Sequence, residues 1–167
     1  MQPGRMDKAE FLAHFGDVFE HSPWIAAQAW ESGLEARHDT AAGLHRAFSD
    51  VINAADHGQQ LSLLRAHPQL ACGMARDEEL TGASQAEQRG AGLDQCSAGE
   101  FAEFRRLNES YMARFGFPFI MAVKGSGRQE ILQAFKKRLA NQREQELQEA
   151  INQVIRIGFF RMEGKFE

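Results

Sequence analysis

A histidine directly in front of a proline, where an apolar helical pattern stops, is the first place in this chain at which residue type and spacing could do chemistry. The stretch reads "RAHPQLA", Arg65 to Ala71. A residue before proline is pushed out of the α region, so the helix written by "QQLSLLRA" should end here and project the His67 imidazole from its terminus. That mounting suits a general acid or base, because an imidazole titrates near neutrality. It equally suits a cation that caps a helix C-terminus against the dipole. The second place is "TGASQAEQRGAGLD", Thr81 to Asp94. Ser84 and Glu87 have capping-box spacing, which predicts a short helix stopped by the glycines at 90 and 92. Glu87 and Gln88 would then lie on its first turn, where a carboxylate and an amide could face a polar ligand near the positive end of the dipole.

Other chemistries find no support. Six histidines, at positions 14, 21, 38, 45, 57 and 67, form no HExxH pair and have no cysteine or carboxylate at a metal-binding spacing, so no metal is expected. The glycines of "KGSGR" lack both the strand-loop-helix setting and the GK[ST] ending of a phosphate loop, and no nucleotide cofactor is expected. A GxSxG elbow is absent. Cys72 and Cys96 form neither a CxxC pair nor a secreted-type framework, so two free thiols in a reducing cytosol are the expectation.

The elements that must position these residues are helices. A chain of 167 residues, 43% hydrophobic and 25% charged, can bury one sizeable core, which predicts a single domain over 1–167. Capping-box spacings occur at Asp7 with Glu10, Ser97 with Glu100 and Ser126 with Gln129, and "HSPW" offers Ser22 as N-cap with Pro23 at N1. Apolar residues fall at helical spacing at Phe101, Phe104, Leu107 and Tyr111, and again at Leu147, Ile151, Val154 and Ile155. Strand alternation is absent. The run "FGFPFIMAV", Phe115 to Val123, is interrupted by Gly116 and Pro118 and has no strand to pair with, so it reads as an extended, buried loop. The expected architecture is all-α, one irregular helical bundle.

Charge and hydropathy bound the partners. Nineteen basic against 23 acidic residues give a net charge of -4, interspersed in sign, which argues against nucleic acid. No basic-then-apolar leader opens the chain, and no apolar run approaches the roughly 18 residues of a membrane span. The ending "GKFE" is not a peroxisomal address. A soluble, cytoplasmic protein acting on a small molecule is expected.

Taken in order, "HPQLA", "SQAEQRGAGLD", "FRRLNESYMARFGFPFIMAVKG" and "EAINQVIRIGFFRM" make the chain resemble the OHCU decarboxylase family of ureide metabolism. The resemblance runs from "FEHSPWIAAQAW" to Met162, nearly the whole chain, and "LNxxYxxRFGFPFI" is its most specific element. It implies an all-helical homodimer that decarboxylates 2-oxo-4-hydroxy-4-carboxy-5-ureidoimidazoline to (S)-allantoin in uric acid degradation, without a cofactor. The resemblance places the catalytic histidine at His67 and its pocket-lining neighbour at Pro68. It places the Ser-x-x-Glu-Gln element at Ser84, Glu87 and Gln88, with Glu87 catalytic, and the ring-holding loop at Phe119, Ile120, Met121, Ala122 and Val123. The active-site arginine falls on Arg161, with Arg156 five residues earlier as the alternative. In one respect the chain departs from the family: Cys72 stands where glycine commonly follows "HPxLA".

The implied chemistry is physically coherent. Loss of CO2 leaves an electron pair on carbon, and a neighbouring C=N bond in the substrate accepts it, so no external electron sink is needed. The protein must orient the carboxylate, stabilise developing charge and deliver a proton to one face. His67 and Glu87 are suited to the proton, and either can be the donor. Arg161 offers a planar donor fork for a carboxylate or ureido oxygen. Irregular backbone at 119–123 would leave N–H groups available for ring carbonyls.

Overall fold

The computed structural model describes residues 1–72 and 81–167. Among these are eight α-helices, α1 (Lys8–Phe15), α2 (Trp24–Glu31), α3 (Ala41–Ala54), α4 (His57–Ala66), α5 (Gly82–Gly90), α6 (Ala98–Phe115), α7 (Arg128–Leu139) and α8 (Arg143–Phe166), with short 3-10 turns at Pro3–Arg5, Ala36–His38 and Leu93–Gln95. No strand occurs among the described residues. The all-α expectation holds.

Two compact units divide the chain. One consists of Met1–Ala66 with Val154–Glu167, the other of His67–Gln153. Phe11, Phe15, Ile25, Leu44, Phe48 and Ile52 are fully buried in the first unit, where α1, α2 and α3 pack against one another. The C-terminal part of α8 completes that core with Val154 and Met162. Its Gly158 lies so close to Phe19 that a Cβ would overlap the ring. In the second unit Phe104, Tyr111, Phe115, Phe117, Phe119 and Phe135 form an aromatic core, with the Phe119 and Phe135 rings stacked at 3.8 Å.

Local chemistry explains where these helices start. Asp7 accepts the Glu10 N–H at 2.9 Å to open α1. Ser97 and Glu100 close the reciprocal box that opens α6, a cap worth about 1 kcal/mol. Two other caps differ from expectation. Ser126 donates its N–H to Val123 O in a turn, and extended Gly127, not Ser126, precedes α7. At α2 the cap position falls on Pro23, one residue later than predicted, and no side chain caps this helix. Phe101 is also displaced from its expected place. It is 44% exposed, while Phe104, Leu107 and Tyr111 form the buried stripe of α6.

The largest correction concerns the cysteines. Cys72 and Cys96 are not free thiols but a disulfide, with Cα atoms 5.7 Å apart across 24 residues of sequence. Neither cysteine has a partner at short spacing, so only the tertiary path of the chain could bring them together.

Candidate functional site

His67 stands immediately past the last residue of α4, as the His-Pro pair requires. The side chain is half-buried, and its Nδ1 lies 3.1 Å from Pro68 O. Residues 69–71, next in the chain, are held by side chains rather than by secondary structure. The Gln88 amide contacts them twice: Nε2 donates to Gln69 O at 3.1 Å, and Oε1 accepts the Ala71 N–H at 3.5 Å. From α6, Asn108 Nδ2 donates to Leu70 O at 2.8 Å. The segment is thus fastened between α5 and α6, with Leu70, Gln88 and Asn108 all buried. Asn108 Oδ1 is buried without a hydrogen-bond partner among the described residues. A flipped amide would set that oxygen against the Leu70 carbonyl, so the present orientation is the favourable one.

The α5 helix begins earlier than its sequence spacing suggests. Thr81 Oγ1 accepts the Ser84 N–H at 3.3 Å, so Thr81, not Ser84, is the cap. A hydroxyl three residues upstream nucleates the turn first. Glu87 and Gln88 consequently lie on the second turn, beyond the first-turn N–H groups. Ser84, Glu87 and Gln88 still share one helix face, at i, i+3 and i+4. Ser84 and Gln88 are buried along it, while Glu87 is half-buried. The turn at Gly92 ends the helix, as read from the sequence.

Residues 117–123 run without helix or strand, as expected of the "FGFPFIMAV" segment. Gly116, at φ +78°, stops α6 in a left-handed conformation that favours glycine. A buried ion network then fixes the loop. Arg138 Nε donates to Glu146 Oε1 at 2.7 Å, and its guanidinium lies 4.4 Å above the Phe119 ring while donating to Ile120 O. Tyr111 donates to the same Glu146 oxygen at 2.6 Å, and Asn141 donates to the other at 2.9 Å. The fully buried carboxylate therefore has a cation and two further donors. Burial first, and then the bond to Glu146, push the Tyr111 phenol well above its ordinary value near 10. Gln153 Oε1 takes the Ala122 N–H at 2.9 Å, so this one loop amide is occupied. Among the described residues no hydrogen bond takes the N–H of Phe119, Ile120, Met121 or Val123.

His67, Pro68, Ser84, Glu87, Gln88 and Phe119–Val123 all belong to the second unit. There the amide clamps join the His67 segment to the helix bearing Glu87. Arg161 belongs to the first unit. Its Nη2 pairs with Glu20 at 2.9 Å and its Nη1 donates to Val18 O at 3.1 Å, with both charged side chains buried. Arg156 is exposed and lies over the Phe160 ring. The first unit also carries a groove of about 930 Å³, lined by Gln28, Arg37, Arg46 and Asp50 among others, which contains none of the candidate residues.

Sequence reading passed over Asn108, Arg138, Glu146 and Gln153. A signal existed for the first, since Asn108 and Tyr111 are polar positions three apart on the otherwise apolar stripe of α6. Nothing local marked Arg138 and Glu146, whose neighbours in sequence are largely charged or polar.

The OHCU decarboxylase family profile matches residues 4–163. The chain belongs to this family. A 2-oxo-4-hydroxy-4-carboxy-5-ureidoimidazoline decarboxylase of Halalkalicoccus jeotgali is 40% identical over 157 residues, covering 94% of this chain and 85% of the relative. Its counterpart in Haloferax volcanii is 38% identical over 165 residues, covering 99% and 94%. The crystal structure of an OHCU decarboxylase in the presence of (S)-allantoin superposes with a TM-score of 0.72 at 27% identity, over 92% of this chain and 97% of that one. The family's named activity thus accompanies a fold matched over nearly the whole chain.

Proposed function

We propose that this OHCU decarboxylase family member converts 2-oxo-4-hydroxy-4-carboxy-5-ureidoimidazoline to (S)-allantoin in urate degradation, as a cofactor-independent carboxy-lyase. The observation that carries the residue-level reading is the double contact of Gln88 with Gln69 O and Ala71 N–H, which ties the His67 segment to the helix bearing Glu87. Catalysis by proton transfer requires such fixed placement, because a misplacement of about 1 Å can cost on the order of 100-fold in rate.

In this reading His67 moves the proton, as base toward the substrate hydroxyl or as acid toward the intermediate, with Glu87 as its partner. Pro68 and Ser84 line the pocket. Gln88 acts on it from the other side of the clamp, by holding backbone. The N–H groups of Phe119, Ile120, Met121 and Val123 are the donors for ring carbonyls, while Ala122 contributes its half-buried side chain. Arg161 supplies a fixed cation for an anionic oxygen of the substrate. A single domain over 1–167, a homodimeric assembly and a cytoplasmic location belong to the same proposal. In that compartment the Cys72–Cys96 bond faces a reducing background.

The test records circular dichroism during turnover, with substrate generated in place from urate by the two upstream enzyme activities. Wild type should give the (S)-allantoin signal rapidly, and His67→Asn only the slow spontaneous drift to racemic product. Wild-type protein that gives no more than that drift overturns the reading.

A further inference from the structure

We infer that Cys72 and Cys96 are a reversible redox modification site for low-molecular-weight disulfides, and that its state sets how firmly the His67 segment and α5 are held together. Its effect on turnover rests on the decarboxylase reading above; its effect on structure does not. Cys72 lies five residues after His67 and is buried, while Cys96 comes after α5 and is half-buried. Their bond closes a loop that contains all of α5, with Ser84, Glu87 and Gln88. One end of that loop is continuous with residues 69–71, where Gln88 makes its two contacts. The longer contact, 3.5 Å from Ala71 N to Gln88 Oε1, is at the limit of hydrogen-bond geometry and is the first to fail if the loop relaxes. Opening the crosslink returns conformational freedom to the loop and removes the covalent restraint on Gln88's register with 69–71.

The exchange is balanced. The thiolate of Cys96, the more accessible cysteine, attacks one sulfur of a disulfide RSSR and expels RS⁻, which takes a proton. The Cys72 thiolate then displaces the second RS⁻ from Cys96. Two protein thiols are oxidised to one disulfide, and one RSSR is reduced to two RSH.

The experiment equilibrates the full chain in glutathione disulfide or in reduced glutathione. It reads thiol alkylation by mass, amide hydrogen exchange over 67–72 and 82–90, and turnover. In the oxidised protein both cysteines should resist alkylation. Reduction should speed exchange in both segments at least three-fold and lower kcat three- to ten-fold. Cys96→Ser should show the reduced-form values in either buffer. Alkylation of both cysteines in glutathione disulfide, unchanged exchange on reduction, or a redox response that persists in Cys96→Ser would each overturn the inference. Redox-dependent exchange in a protein that never turns over sinks the decarboxylase reading and leaves the redox site standing.

Discussion

Replacing His67 by asparagine keeps a polar side chain of similar size and removes its ability to take or give a proton. Decarboxylation should fall by about 10²–10⁴-fold, with the melting temperature unchanged. A thermal scan beside the dichroism assay checks both halves. Asn108→Leu probes a different property. Leu70 O would be left buried without its donor, costing about 1–3 kcal/mol, and the His67 segment would loosen, so kcat should drop while KM changes little. At Arg161, lysine and leucine separate two roles. Leucine strands the buried Glu20 carboxylate, a loss of about 3–5 kcal/mol visible in urea unfolding. Lysine keeps the charge but loses the fork, so lower activity with most of the stability retained would mark a guanidinium needed for binding. An Arg161→Lys protein as active as wild type shifts attention to Arg156.

At the scale of elements, two pH responses arise from where protons sit. The raised phenol of Tyr111 favours the folded state while it remains protonated. Its stabilisation is therefore complete below about pH 10, where an unfolded tyrosine begins to ionise, and is lost as pH rises further. Urea midpoints should fall above pH 10 in wild type, and less steeply in Tyr111→Phe. Glu100 behaves oppositely. Bonds from the Ser97 N–H and then from Arg128 hold its carboxyl below the ordinary 4.5, so its contribution is present above that pH and is lost as the solution becomes more acid. Glu100→Gln should flatten that acid limb. These two networks also show what a sequence can reveal. The Ser97–Glu100 box was legible because both partners lie within one turn, and the stop at His67 because proline constrains its own neighbour. Ser84 was misread as a cap because Thr81 competes three residues upstream. The Tyr111–Glu146–Arg138 cluster and the cysteine bond were illegible, since each is made by residues that meet only when separate elements pack. The 117–123 loop was half legible: glycine and proline marked irregular backbone, but nothing local named Gln153 as the acceptor for Ala122.

For the whole molecule, sedimentation should give a species of twice the 18.7 kDa chain mass, and a species of single-chain mass overturns the dimer. The segment 67–153 is inserted between the two parts of the first unit, and α8 runs through the boundary at Val154. During synthesis, every residue of the inserted unit leaves the ribosome before the first unit possesses Val154, Ile157 and Met162, the buried residues that complete its core. At about 5–20 residues per second, the amino-terminal helices wait for their last partner while the site residues proposed at 67–123 have already been made and Arg161 is still to come. The unit that begins the chain is thus the last to be completed.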